Sequence, residues 1–219
     1  QLRQVARCVQ AVEQGHSLNE VLPQVPAGLR PGVQALTFHA LRHWGTSRAV
    51  VGLLVQRKPT PALQALLCSA IALLLGDADE QAPRYPEHTV VNQTVEAARQ
   101  DRRTERQAPF VNACLRRFLR ERDALRAQVD TDPVARWNHP RWWIERLQRD
   151  HPEHWQAILA ANNEPGPMAL RVNRRHTDRA SYLETLAAAA PACGLAVHGY
   201  ALLHNQVHLL ATPAAADSL

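Results

Sequence analysis

"TPALQALLCSAIALLLG", residues 60–76, carries no charged side chain along its whole length. Thr60 is a good N-cap, Pro61 suits the first turn, where its missing N–H costs nothing, and Gly76 is a natural stop. At about 3.6 residues per turn its apolar side chains wrap nearly the whole circumference instead of one stripe. Such a helix must be enclosed by other elements, so the stretch predicts the central helix of an all-α body. It is too short for a bilayer span, which takes roughly 20 residues.

The flanking segments supply the enclosure. Before it, Leu2, Val5, Ala6, Val9 and Val12 form one apolar stripe. "SLNE" (17–20) reads as a capping box, with Ser17 as N-cap and Glu20 reaching back. "RPGVQALTFHALRHW" and "TSRAVVGLLVQRK" read as helices divided at Gly45, with Thr46 or Ser47 as the cap. After it, past an acidic, proline-bearing loop (77–86), "HTVVNQTVEAARQ" turns Val90, Val91, Thr94, Val95 and Ala98 inward. In "FVNACLRRFLRER" (110–122), Phe110, Val111, Cys114, Leu115, Phe118 and Leu119 fall on one arc. Arg116, Arg117 and Arg120 fall on the other, with Asn112 at the border. Residues 1–125 are therefore expected to be one helical domain.

Residues 123–139 are mixed and proline-interrupted, which marks a domain edge. "HPRWWIERLQRDHPEHWQAILAANN" reads as a helical hairpin started by Pro140 and Pro152 and packed through Trp143, Ile144, Leu147, Trp155, Ile158 and Leu159. Residues 126–165 are expected to be a helical linker. The texture then changes: "MALRVN" alternates like a strand, "TDRASYLETLAAA" is a helix capped near Asp178, and "LAVHGYALLHNQVHLLAT" holds two or three short strands. Residues 166–219 are expected to be a small α+β module that looks incomplete.

Composition narrows the function classes. With 46% hydrophobic and 21% charged residues among 219, the chain is an ordinary globular sequence. Its formal net charge is +5 and its pI about 9.5. The base is nearly all arginine, since Lys58 is the only lysine. Nine arginines face four acids, Asp101, Glu105, Glu121 and Asp123, between Arg99 and Arg126. A charged helix face is ordinarily just solvated surface; arginine's planar fork also suits phosphate. The absence of a signal pattern and of a long apolar run points to the cytoplasm. Cys8, Cys68, Cys114 and Cys193 are far apart, form no CxxC pair and read as reduced thiols. The chain begins at Gln1 without a methionine and stops in "LLATPAAADSL" without a closing element, as expected of a piece of a longer protein.

Motifs for covalent chemistry do not emerge. His39 and His43 are one turn apart but lack a third metal ligand, and His204 and His208 lack partners in the same way. No HExxH, nucleophile elbow, P-loop or GxGxxG is present. Asp77, Asp79 and Glu80 read as solvated loop charge. Trp142 and Trp143 have faces that suit bases, yet at least one is needed for the hairpin core.

Three stretches together resemble one family. "HTVVNQTVEAARQ" followed by "PFVNACLRRFLRE" resembles the paired helices of a NusB-like domain. The run from "NHPRWWIERL" through "EPGPMALRVN" to "TDRASYLETL" resembles the segment that joins such a domain to a methyltransferase. The combination is similar to the bacterial small-subunit ribosomal RNA (cytosine-C5) methyltransferase B family, the Sun or Fmu type. The resemblance covers nearly the whole chain and implies a mainly α fold: a NusB-like helical domain, a helical hairpin linker and a small RNA-binding α+β module. It also implies a further domain that binds S-adenosylmethionine and carries both cysteines of the chemistry, one attacking C6 of cytosine and one assisting release. Cys193, in "PACG", lacks the surroundings of either, so no catalytic residue is expected here.

The partners so implied are RNA, small-subunit ribosomal RNA above all, and the missing methyltransferase domain, with no membrane involved; this portion itself holds no cofactor. Arg102, Arg103, Arg106, Arg116, Arg117 and Arg120 are the candidate phosphate contacts. Two other classes stay open: an antitermination-type RNA-binding module of the NusB kind, against which the hairpin and "MALRVN" argue, and a protein-interaction domain whose basic face serves solubility.

Overall fold

The computed structural model of the chain describes residues 1–75, 85–164, 168–170, 175–192, 195–202 and 207–213. The helices are α1 (Leu2–Glu13), α2 (Leu18–Val21), α3 (Arg30–Arg42), α4 (Trp44–Leu54), α5 (Pro61–Leu74), α6 (Glu87–Arg99), α7 (Ala108–Val129), α8 (Pro133–Trp137), α9 (Arg141–Asp150), α10 (Trp155–Asn163) and α11 (Arg179–Ala192). The strands are β1 (Met168–Leu170), β2 (Leu195–Leu202) and β3 (Val207–Pro213). Described residues up to 164 form one compact unit and those from 168 a second.

The first unit is built around α5. The Thr60 hydroxyl accepts from the Leu63 N–H at 3.4 Å, capping the helix. Residues 65–72 are all buried. Helices α1, α3, α4, α6 and α7 all pack against α5, as an uncharged helix requires. Leu67, Ile71, Leu115 and Phe118 are inaccessible to solvent, each adding about 1.5–3 kcal/mol of apolar burial. On α6, Val90, Val91, Thr94 and Ala98 face inward as expected, joined by Ala97, while Val95 is half-buried.

Several local expectations are corrected. The break between α3 and α4 falls at His43, not Gly45, and neither Thr46 nor Ser47 caps α4. Thr46 instead donates its hydroxyl to the Ala135 carbonyl at 2.6 Å and its N–H to Asn138 Oδ1 at 2.8 Å. Gly45 lies where an added Cβ would sit 2.4 Å from the Val134 carbonyl oxygen. Tertiary contact with α8, which no local pattern encodes, decides both positions. Ser17 caps α2 through the Asn19 N–H at 3.3 Å, and Glu20 makes no return bond among the described residues.

Helix α7 runs on to Val129 across a kink at Glu121 (φ −113°, ψ 15°), since Leu125 and Val129 both have core to reach. Asp132 then caps α8. In the hairpin, Ile144, Leu147 and Leu159 are buried with Trp137, Trp143, Trp155 and Ile158 packed around them. Pro152 lies in the turn, and α10 starts at Trp155.

In the second unit the strands make an antiparallel sheet in the order β1-β3-β2, with Met168 opposite Leu209 and Leu195 opposite Pro213. Asp178 caps α11, accepting from Ala180 and Ser181 N–H at 2.8 and 3.0 Å. Gly76, the loop residues 77–84, residues 171–174 with Arg171 and Arg174, Cys193 and His204 lie outside the described residues. The described part of the chain is mainly helical, and its strands all follow residue 165.

Candidate nucleic-acid interface

The basic stretch is organised by one carboxylate. Between α6 and α7 the chain makes a tight turn, closed by the buried Thr104 hydroxyl donating to the Ala98 carbonyl at 3.0 Å. Asp101 in this turn accepts from Arg103 Nε at 3.0 Å and Nη2 at 2.7 Å, and from the Arg103 backbone N–H at 3.0 Å. Arg103 Nη1 continues to Gln10 Oε1 on α1 at 3.1 Å. Those bonds to Arg103, above all the guanidinium, hold the Asp101 carboxyl down to about 2 against its partial burial, with Arg7 adding a longer attraction at 3.9 Å. Arg103 is thus tied back against α1.

The other five candidates stay on the surface. Arg116 donates Nε to Asn112 Oδ1 at 3.2 Å, and Arg117 pairs with Glu121 at 3.0 Å one turn on. Both are exposed pairs of the kind that contribute little and open readily. Arg102, Arg106 and Arg120 are exposed and make no hydrogen bond or ion pair with other described residues. Arg116, Arg117 and Arg120 share the outward arc of α7, and Arg106 sits in the 3-10 turn Glu105–Gln107 leading into it. A groove lined by Asn92, Gln93, Glu96, Arg99, Glu105 and Asn112 runs between α6 and α7 beside that arc.

The inward arc departs from expectation at one residue. Val111, Cys114, Leu115 and Phe118 are buried, but Phe110 is 43% exposed. At about 100° per residue Phe110 lies nearer to Arg117 than to the centre of the buried arc. Arg122 and Arg126 belong to the fold: Arg122 pairs with Glu87, and Arg126 Nη1 donates to the Leu75 carbonyl at 2.9 Å, satisfying the end of α5.

Other candidates resolve into packing. His39 is buried, with Nε2 donating to the Ala72 carbonyl at 3.1 Å and its ring 4.6 Å from that of His43. No group of three His, Cys, Asp or Glu among the described residues is placed to hold a metal ion. Cys8, Cys68 and Cys114 are buried free thiols, and burial pushes all three above the ordinary thiol value. No described helix is long and apolar enough to cross a membrane.

Comparison with known proteins gives the family of the fold. The NusB family matches residues 2–120, and the "Methyltr_RsmF/B-like, ferredoxin-like domain" matches residues 139–206. The chain is 35% identical over 181 residues to the ribosomal RNA small subunit methyltransferase B of Vibrio cholerae serotype O1, covering 79% of this chain and 40% of that protein. Against the proteins of that name from Vibrio vulnificus and Escherichia coli O6:H1 the identity is also 35%, with 42% and 41% of their lengths covered. The chain thus spans about two-fifths of the length of these relatives. The crystal structure of PH0851 shares the fold at a TM-score of 0.54 and 15% identity, over 95% of this chain and 47% of that one. Matched over more than half its length, with α5 at its centre and the arginine-bearing α7 as the last matched helix, the chain belongs to the NusB family and continues into an RsmF/B-like ferredoxin-like domain.

Proposed function

We propose that the chain is the RNA-binding N-terminal portion of an S-adenosylmethionine-dependent cytosine-C5 methyltransferase acting on small-subunit ribosomal RNA in the cytoplasm, and that it holds the RNA for a catalytic domain elsewhere in the protein. Residues 1–125 supply the basic helical body, 126–165 the helical connection and 166–219 a small α+β subdomain that also faces RNA. The observation that carries the reading is the outward arc of α7, where Arg116, Arg117 and Arg120 are exposed, the first two held only by surface contacts and Arg120 by none among the described residues. Guanidinium forks of this kind meet phosphate oxygens bidentately, which fixes an RNA's position without reading its sequence.

The described residues do not fit the cofactor. They contain no glycine-rich strand-to-helix turn, and the described thiols are buried and held protonated, the reverse of what an attacking thiolate needs. Two measurements test the proposal. Fluorescence anisotropy with a labelled stem-loop of small-subunit ribosomal RNA should show saturable, salt-sensitive binding. Calorimetric titration with S-adenosylmethionine should give no saturable heat at micromolar cofactor. RNA binding no tighter than that of a neutral protein of the same size would remove the reading, and cofactor binding would place a catalytic role within this chain.

A further inference from the structure

Trp142 is the most exposed large hydrophobic residue described, at 66%, and the hairpin core does not use it. That core is filled by Ile144, Leu147 and Leu159, with Trp143 packed on it. The indole of Trp142 stands edge-on to Trp143, with ring centroids 5.6 Å apart, so it is braced while its outer face stays open. An exposed tryptophan gives up a large apolar burial, and here two guanidiniums share its side of the helix.

Arg146 and Arg149 lie four and seven residues after Trp142. At about 100° per residue all three fall within about 60° of one another, the Cα atoms of the two arginines about 6 and about 10 Å farther along the axis. Together with His151 and the carboxylates of Glu145 and Asp150 they line one surface concavity. Asp150 fixes the two arginines: it accepts Nε of Arg146, and Nε of Arg149 at 3.0 Å. The terminal NH2 groups of both make no hydrogen bond among the described residues and are free to donate. One carboxylate thus orients two forks and leaves their bidentate ends open.

From this arrangement we propose that the outer stripe of α9 is a footing for single-stranded RNA, with an unpaired base stacked on Trp142 and the next phosphates bound by Arg146 and Arg149. The order along the helix, one ring followed by two cations, is the usual pairing of stacking platform and basic track on which a single strand lies. An A-form duplex does not fit, because its base faces are buried in the stack. The inference rests on the RNA-binding reading above but on a different element from α7, so the two fail separately.

The test uses the 219-residue chain and two probes, a labelled ten-nucleotide oligouridylate, whose bases are unstacked, and a blunt RNA hairpin of equal charge whose stem is closed by a non-nucleotide linker, so that it holds no unpaired base. Wild-type chain should bind the oligouridylate with quenching of tryptophan emission. Trp142→Ala should weaken that binding by about tenfold or more and remove most of the quench, and Trp142→Phe should restore most of the affinity. Arg146→Gln with Arg149→Gln should weaken binding while keeping the quench. Hairpin affinity should be unchanged by Trp142→Ala. Circular dichroism of each variant guards against misfolding, which an exposed position makes a small risk. Unchanged oligouridylate affinity in Trp142→Ala overturns the inference and leaves the stripe as solvated surface, with α7 untouched. If wild-type chain binds neither probe, the RNA reading falls and this inference with it.

Discussion

Arg103 and Arg120 are both solvent-accessible arginines of one basic stretch, and Asp101 separates their roles. Arg103 spends its guanidinium on Asp101 and Gln10, whereas Arg120 has no partner among the described residues. Arg103→Gln should therefore lower stability while changing RNA affinity less than Arg120→Gln does, as thermal melts and anisotropy titrations on both variants will show. The carboxyl makes a separate prediction. Its folded-state value, about 2, is below the ordinary 3.8, so its stabilisation is complete above about pH 4 and is lost as pH falls through about 2. Discounted for the half-exposed partner, Asp101→Asn should cost about 1–2 kcal/mol in urea unfolding at neutral pH. The gap to wild type should close between about pH 4 and pH 2; a constant gap would mean that the ion pair contributes nothing.

For helices, legibility depended on whether the deciding contacts were local. Helix α5 was plain because its cap, its proline and its uncharged circumference all lie within its own residues. Leu67→Ala or Ile71→Ala should cost about 2–5 kcal/mol in denaturant melts, since each leaves a cavity in a site with no exposure; a loss below about 0.5 kcal/mol at both would put the helix at the surface. Gly45 was misread because its purpose is close approach to Val134 and Asn138, about ninety residues away. Gly45→Ala should destabilise by about 1–3 kcal/mol through that clash. Gly52→Ala, on the same helix with nothing within 4 Å, should instead stabilise by about 0.5–1 kcal/mol. Equal effects at the two glycines would contradict the packing of α4 on α8. Phe110 is a different case: its angular position on α7, well off the centre of the buried arc, is a local feature that already marks it as an edge residue.

For the molecule as a whole, helical periodicity up to residue 121 and the change of texture after "EPGP" made the helical body and the later strands readable. The quoted motifs pointed to the family that the comparisons support. The basic face was readable only as charge. Which arginines are tied into the fold depends on Asp101, two residues before Arg103 in the same turn, and on Glu87 and the Leu75 carbonyl, whose proximity to Arg122 and Arg126 appears only once the helices are packed. The central claim is that the outward arc of α7 carries RNA phosphates, and the salt dependence of RNA affinity tests it most directly. Wild-type affinity should fall with salt at a log–log slope of about −0.7 per phosphate on single strands. Changing Arg116, Arg117 and Arg120 to Gln removes three charges while keeping helix propensity, so the slope should become shallower by about 2. A matched triple change at Arg48, Arg57 and Lys58, none of them on α7, should leave it nearly unchanged. An unaltered slope in the α7 variant, or an equal loss in both, would contradict the claim.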